Sequence, residues 1–192
     1  MRGRFVSRAI TALLLGTMIF AGFALRYSTR EFWRAAYPVR YRESVLRESG
    51  ETGLDPAFIL AVIRSESGFD PGAVSYVEAR GLMQITEETF EWAKYRTGDT
   101  ETLHYDELFE PATNIRYGAA ILRLLLDEFG GEREALAAYH AGRGRVNEWL
   151  SDSRYSNEGR ELSVIPSAVT GGYVDKVLQT RDRYRSLYDF GE

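Results

Sequence analysis

The sequence predicts a mainly α-helical domain that follows an N-terminal hydrophobic anchor. Three observations lead to this prediction. Apolar residues recur at helical spacing in several segments, no segment alternates convincingly between apolar and polar residues, and an uncharged apolar run, 9–25, lies near the N-terminus. The 192 residues are enough for one well-buried domain and too few for two.

The apolar run has the features of an export signal. Arg2, Arg4 and Arg8 precede it, and its length is at the lower edge of what spans a bilayer, yet slightly long for the core of a cleaved signal peptide. We expect residues 1–30 to form an uncleaved anchor in the cell membrane, with the following domain outside. Secretion after cleavage near Ala24 is the alternative.

The first helices after the leader are marked by their end signals. Tyr37–Ser49 is predicted to be an amphipathic helix that stops at Gly50. Asp55 and Pro56 supply an N-cap and a first-turn proline for the next helix, which the segment 67–72 ends. Four later helices and a polar, mobile segment are predicted from the same signals. A helix starts near Thr86, two follow over Pro111–Phe129 and Glu132–Tyr139, and the last, Tyr173–Tyr188, comes after the mobile segment Ser151–Ser163.

Composition excludes several classes of function. The formal net charge of -4 gives no basic face for nucleic acid. The sequence has no cysteine, which removes disulfides, thiolate metal sites and cysteine nucleophiles. Its two histidines, His104 and His140, do not form a metal-binding pair. We therefore expect no nucleic-acid partner, no metal and no bound cofactor.

Glu66 is the strongest candidate for a catalytic residue. Ile59, Val62, Ile63 and Glu66 follow helical spacing, so a carboxyl group occupies the apolar stripe that faces the core. Burial disfavours the charged form and raises the pKa, which allows a glutamate to act as a general acid near neutral pH. Alone, this pattern also fits a helix-end carboxylate that points into water.

Other acidic residues are weaker candidates for a second catalytic carboxylate. Asp70 precedes a proline, as turn-forming residues do. Glu78, Glu87 and Glu88 fit solvated or helix-capping positions. A hydrolase that uses two carboxylates would need one of these four residues.

Several short motifs occur in one order along the chain and identify a family. They are Glu66-Ser67, Ser75, Gly81-Leu82-Met83-Gln84, Asn114-Ile115 with Gly118, Ala138-Tyr139-His140-Ala141-Gly142, and Ile165-Pro166 with Tyr173-Val174. In this respect residues 37–190 resemble the catalytic domain of soluble lytic transglycosylases. The resemblance implies a lysozyme-like helical fold with a substrate cleft. It also implies cleavage of the β-1,4 bond between N-acetylmuramic acid and N-acetylglucosamine in peptidoglycan, with formation of a 1,6-anhydro ring.

The resemblance also implies roles for single residues. Glu66 would act first as the acid and then as the base, while the acetamido group of the substrate stabilises the reacting centre. Tyr139 would hydrogen-bond the carboxyl group of Glu66. The residues expected to contact substrate are Ser75, Met83, Gln84, Tyr139 and His140.

The chain departs from the family motifs at three positions. His140 stands where the family usually has asparagine, Val169 replaces a glutamate of the cleft, and Gly171 replaces an arginine. These departures keep two alternatives open, a hydrolytic muramidase of the goose-type lysozyme kind and a non-catalytic scaffold that binds peptidoglycan. In each case the expected partners are glycan strands of the bacterial cell envelope, and no motif indicates a protein partner.

Overall fold

The structure is a computed structural model. It describes the backbone of residues 2–191 and the side chains of residues 14–22, 24–27 and 29–191. The chain divides into two units between Pro38 and Val39, and each is described by itself. The first unit contains one long helix, α1, Arg2–Ala36.

Helix α1 covers the predicted anchor. Residues 1–13 include the three leading arginines and the start of the apolar run, and they lie outside the residues whose side chains are described. Across the described part of the chain, no helix combines the length and the apolar character that crossing a bilayer requires. The predicted membrane anchor is therefore not supported.

The second unit is mainly α-helical, which confirms the predicted class. Helix α3 runs through its core, since every residue from Ala57 to Ile63 is buried, and α3 packs mainly against α8. Helix α5 packs against α2 and α6. The elements are α2 (Arg42–Thr52), α3 (Pro56–Glu66), α4 (Glu87–Thr97), a 3-10 helix (Tyr105–Phe109), α5 (Pro111–Phe129), α6 (Glu132–Ala141), α7 (Arg143–Ser151), the hairpin β1 (Ser156–Asn157) and β2 (Glu161–Leu162), and α8 (Ala168–Leu187).

The start of α3 is as predicted. The Asp55 carboxylate accepts a hydrogen bond of 2.8 Å from the backbone N–H of Ala57, and Pro56 occupies the first turn. Ile59, Val62 and Ile63 are fully buried. The predicted apolar stripe therefore faces the core and carries Glu66 at its end.

The bounds of α2 differ from the prediction. The helix begins at Arg42 because Tyr41 adopts a left-handed conformation with φ 54°, which a continuous helix cannot contain. It continues through Gly50, around which there is open space, and ends at Gly53, whose φ of 69° caps the helix. The predicted stop at Gly50 is wrong because a glycine ends a helix only where the chain turns left-handed.

The segment after α6 holds more structure than the sequence predicts. Helix α7 was not predicted, and the segment expected to be mobile forms the β1–β2 hairpin, in which Ser156 pairs with Leu162. Leu162 is buried, its N–H donates to the Glu134 carboxylate at 3.0 Å, and its carbonyl accepts from Arg133 at 2.6 Å. Contacts with α6 therefore order a segment whose own sequence is polar.

Helix α5 approaches the segment that follows α3 very closely. A Cβ atom at Gly118 would lie 2.1 Å from the sulfur of Met83, which is far inside van der Waals contact. Met83 is fully buried in this contact. A glycine at position 118 is thus required for α5 to pack against Met83.

We predict that Gly118→Ala lowers the free energy of unfolding by about 1–3 kcal/mol through overpacking. Gly50→Ala is the matched control, because no atom lies within 4 Å of its added Cβ. The control should raise the free energy of unfolding by about 0.5–1 kcal/mol, since alanine favours a helix interior. Urea denaturation of the full chain measures both, and a Gly118→Ala variant as stable as the parent would contradict the packing argument.

Candidate active site

Glu66 lies at the C-terminal end of α3 and is partly buried. The Tyr173 hydroxyl, from the second turn of α8, donates a hydrogen bond of 2.5 Å to its Oε1 atom. This bond joins the two helices that pack most extensively in the core. The packing of α3 on α8 therefore fixes the position of the carboxyl group.

The surroundings of Glu66 favour its protonated form. Burial raises the pKa of Glu66 from 4.5 to about 7, while the Tyr173 hydrogen bond and the positive charge of Lys176 lower it by less. Lys176 is held near the helix end, where its ammonium group donates to the carbonyl of Ser65 at 3.3 Å. Glu66 therefore exchanges its proton close to neutral pH.

Tyr139 does not make the predicted contact. Its hydroxyl donates to the carbonyl of Met83 at 2.7 Å, and Tyr173 takes the place at Glu66. Burial raises the pKa of both tyrosines well above the ordinary value, so both hydroxyls remain protonated donors. The predicted bond from Tyr139 to Glu66 is wrong, and Tyr173 is the residue that sequence reasoning missed. Its only signal was its place in the last family motif.

Asn114 holds the Gly81–Gln84 segment in place. Its buried side-chain oxygen accepts from the N–H of Met83 at 2.8 Å, and its amide nitrogen donates to the carbonyls of Leu108 and Arg80 at 2.8 and 3.0 Å. Gly81, at φ 73°, lies so close that an added Cβ would be 2.2 Å from this amide nitrogen. Gly81 and Asn114 therefore depend on each other.

Ser75 and Gln84 belong to the loop between α3 and α4, and hydrogen bonds fix both side chains. The Ser75 hydroxyl oxygen accepts from the N–H groups of Val77 and Ala79 at 3.3 and 3.1 Å, so its own proton is left to donate. The Gln84 amide nitrogen donates to the carbonyls of Ala73 and Gly81 at 3.1 and 2.9 Å, so its oxygen is left to accept. Their contacts with substrate stay a prediction.

Met83 and His140 occupy different environments. Met83 is buried against Gly118, so its side chain packs in the core next to the Gly81–Gln84 segment. His140 is exposed, with its ring centroid 4.6 Å from that of Tyr173 and its Nδ1 atom 3.3 Å from the Thr170 hydroxyl. Partial burial against these neighbours lowers the pKa of His140. That either residue binds substrate stays a prediction.

A cavity of about 390 Å³ adjoins Gln84 and Tyr139. Trp92 and Arg143 contribute to its wall, and the Arg143 guanidinium lies 4.8 Å from the centre of a Trp92 ring. Two residues expected at the substrate cleft therefore border one concave surface, next to the segment held by Asn114.

The four weaker acidic candidates have exposed side chains. Asp70 accepts a hydrogen bond of 2.9 Å from the N–H of Gly72, which confirms a turn-forming role. Glu78 lies in the loop after α3, and Glu87 and Glu88 lie in the first turn of α4. Among the side chains that the structure describes, no cluster of three or more His, Asp or Glu residues is suited to hold a metal ion.

We predict that the effect of Glu66 on the free energy of unfolding depends on pH. Its folded-state pKa of about 7 exceeds its ordinary value of 4.5, so its contribution to stability is fully present below pH 4.5 and is lost as the pH rises through 7. This loss corresponds to about 3 kcal/mol. Glu66→Gln has no such titration, so its free energy of unfolding relative to the parent should rise by about 3 kcal/mol between pH 4 and pH 8.

Urea denaturation at both pH values measures this change. The exposed Glu88→Gln serves as the control for loss of one carboxylate. A constant difference between Glu66→Gln and the parent across the range would show that the fold does not disfavour the charged form of Glu66.

Comparison with known proteins agrees with this geometry. The sequence profile of the transglycosylase SLT domain matches residues 43–161. The chain is 34% identical over 155 residues to the soluble lytic murein transglycosylase of Salmonella typhimurium and 33% identical to that of Escherichia coli K12. Each alignment covers 78% of this chain and 23% of the relative, so the chain spans about a quarter of the relatives' length.

Solved structures agree as well. The inactive Glu-to-Gln mutant of lytic transglycosylase Slt from Pseudomonas aeruginosa matches with a TM-score of 0.69 and 34% identity. The 70 kDa soluble lytic transglycosylase of Escherichia coli matches with a TM-score of 0.71 and 30% identity, and has also been solved with bulgecin A. These matches cover 80% of this chain and 25% of each solved chain. The chain belongs to the transglycosylase SLT domain family.

Proposed function

We propose that the chain is a peptidoglycan lytic transglycosylase. It cleaves the β-1,4 bond between N-acetylmuramic acid and N-acetylglucosamine and forms 1,6-anhydro-N-acetylmuramic acid. The observation that carries the proposal is the Glu66 carboxyl group, which burial holds at a pKa of about 7 and Tyr173 orients, within a domain of this family. The relatives named as lytic transglycosylases support the proposal, and this chain corresponds to about a quarter of their length.

In the first step Glu66 is the general acid. Its Oε1 atom accepts from Tyr173, so Oε2 carries the proton that passes to the glycosidic oxygen as the bond from that oxygen to C1 of the muramic acid breaks. The developing positive charge at C1 is stabilised by the acetamido group of the substrate. Lys176 and the Tyr173 hydroxyl stabilise the carboxylate that remains.

In the second step the same residue is the base. The Glu66 carboxylate accepts the proton of the 6-hydroxyl group as that oxygen bonds to C1, which closes the anhydro ring and restores the protonated acid. No water is consumed. One group performs both tasks because its pKa of about 7 lies near the operating pH, where both protonation states are accessible.

A hydrolytic muramidase is less well supported. Hydrolysis by a second carboxylate needs that group near the acid, and the charged side chain that perturbs the pKa of Glu66 is Lys176.

Substrate contacts are proposed for the residues around the acid. The free proton of Ser75 and the free amide oxygen of Gln84 suit the acetamido and hydroxyl groups of a glycan strand. Tyr139 and His140 complete the proposed contacts, while the fully buried Met83 would support the binding surface without touching the strand. Val169, at 74% exposure, offers no polar group where the family has a glutamate, so binding there rests on fewer hydrogen bonds.

The proposed substrate also implies a location. Peptidoglycan lies outside the cytoplasm, so residues 37–190 would act in the bacterial cell envelope. We propose residues 1–30, with their basic start and apolar run, as the segment that directs export.

We predict that the chain releases 1,6-anhydro ends from purified peptidoglycan and that Glu66→Gln does not. Glutamine is similar in size but cannot transfer the proton, so cleavage should fall by at least about 100-fold while glycan binding remains. Mass spectrometry of the soluble muropeptides identifies the new ends. Reducing ends in their place would indicate a hydrolase, and binding without new ends by the unmodified chain would indicate a scaffold.

We also predict that Tyr173→Phe moves the basic limb of the pH–rate profile. Loss of the hydrogen bond removes an effect that lowers the pKa of Glu66, so the limb, expected near pH 7, should shift to higher pH. The rate should fall about 10- to 100-fold, since the carboxylate formed in the first step loses a donor.

Tyr139→Phe is the matched control for this shift. It removes a similar hydroxyl that bonds to the Met83 carbonyl instead of Glu66, so the pH of the limb should stay near that of the parent whatever the rate. Initial rates from pH 5 to pH 9 measure both variants. An unshifted limb in Tyr173→Phe would mean that this bond does not control the proton affinity of Glu66.

A further inference from the structure

The loop after α3 displays three apolar side chains to solvent. Val74, Tyr76 and Val77 are 51%, 97% and 54% exposed. They belong to a short loop, residues 74–80, at whose base Val74 pairs with Arg80. A solitary exposed apolar residue needs no explanation, but three within four positions, one of them an almost fully exposed tyrosine, form a patch of the kind that binds a partner.

The 74–80 loop is held in one conformation. The N–H of Ser75 donates to the Ala79 carbonyl at 3.0 Å, and the Ser75 hydroxyl oxygen accepts from Val77 and Ala79. The Tyr105 hydroxyl donates to the Glu78 carbonyl at 2.6 Å from outside the loop. Tyr76 is therefore presented on a fixed backbone, so that binding would cost little backbone entropy.

The base of the loop is continuous with the candidate active site. The carbonyl of Ala73 accepts hydrogen bonds from the N–H of Gly81 at 2.9 Å and from the Gln84 side chain at 3.1 Å. The hydroxyl of Ser67, the residue after Glu66, donates to the carbonyl of Leu82 at 2.8 Å. The exposed patch is thus tied to the segment that carries Gln84 and to the end of the helix that carries the acid.

We propose that Tyr76, flanked by Val74 and Val77, is a substrate platform that packs against a sugar ring of the glycan strand at the edge of the cleft. This inference rests on the proposed function. A pyranose ring presents C–H groups on its faces and hydroxyl groups at its edge, and tyrosine matches it with an apolar ring that ends in a polar hydroxyl. Val169 offers no polar contact where the family has a glutamate. Apolar packing of the sugar rings on Tyr76 would therefore contribute to binding.

Two other occupants fit the patch less well. A stable dimer needs about 800 Å² from each partner, which three side chains do not supply. An anionic lipid surface is disfavoured by Glu78, which is exposed in the same loop. The uncharged face of one sugar ring needs no large interface area and is not repelled by the charge of Glu78.

The test measures binding of the hexamer of N-acetylglucosamine to the full chain in a Glu66→Gln background, where no cleavage occurs. By isothermal titration calorimetry, Tyr76→Ala should weaken binding about tenfold, and Tyr76→Phe should bind like its parent. Tyr95→Ala is the matched control, since Tyr95 is 84% exposed but belongs to α4 and not to the 74–80 loop. It should bind like the parent.

Kinetics provide the second readout. With Glu66 intact and purified peptidoglycan as the substrate, Tyr76→Ala should raise KM about tenfold with kcat nearly unchanged. The reason is that the platform contacts the strand equally in the ground and transition states. A fall in kcat alone would instead assign Tyr76 to the chemistry and overturn the platform.

The outcomes separate this proposal from the proposed function. A Glu66→Gln parent that binds the hexamer while Tyr76→Ala binds equally well would overturn the platform and leave the proposed function standing. A parent that binds no glycan, with no anhydro ends from the active chain, would overturn both. Self-association that Tyr76→Ala abolishes in sedimentation velocity, with glycan binding unchanged, would assign the patch to a second copy of the chain.

Discussion

The burial of one carboxyl group at the end of α3 is the constraint on which the rest of the structure depends. Helix α3 is buried from Ala57 to Ile63, and Glu66 at its end is sufficiently desolvated that its protonated form is favoured. A buried carboxyl also needs a partner, and Tyr173 supplies the donor. The large α3–α8 contact therefore both sets the proton affinity of Glu66 and limits how far burial can raise it.

A second set of contacts orders the Gly81–Gln84 segment through its backbone groups. Asn114 fixes the N–H of Met83, and Tyr139 bonds to the carbonyl of the same residue, so both polar groups of one peptide segment are used. Gly118 allows α5, which carries Asn114, to lie directly against the Met83 side chain. Residues predicted from the sequence to contact substrate therefore already form hydrogen bonds within the protein. Only groups such as the hydroxyl proton of Ser75 are left for a ligand.

The sequence predicted the parts of the fold that short-range chemistry controls. Asp55 and Pro56 started α3 as expected, and the spacing of apolar residues placed Glu66 on the buried stripe. The partner of Glu66 was predicted wrongly because Tyr173 is 107 residues away, and spacing along the chain does not tell which of two tyrosine hydroxyls reaches a carboxyl group. Helix α7 was missed for a local reason. Gly142 ends α6 as expected, but α7 begins directly after it at Arg143 and contains Gly144, a residue that disfavours helices, while packing on α6 and the hairpin stabilises it.

Two of the departures from the family motifs, Val169 and His140, make no direct bond to the acid. Val169 projects into solvent, and His140 meets the site through the ring of Tyr173 and the hydroxyl of Thr170, not through the carboxyl group of Glu66. A change at either position would therefore reach the carboxyl group of Glu66 only through neighbouring residues. The features that set the proton affinity of Glu66, its burial and its bond to Tyr173, are therefore present in this chain despite the changes at positions 140 and 169.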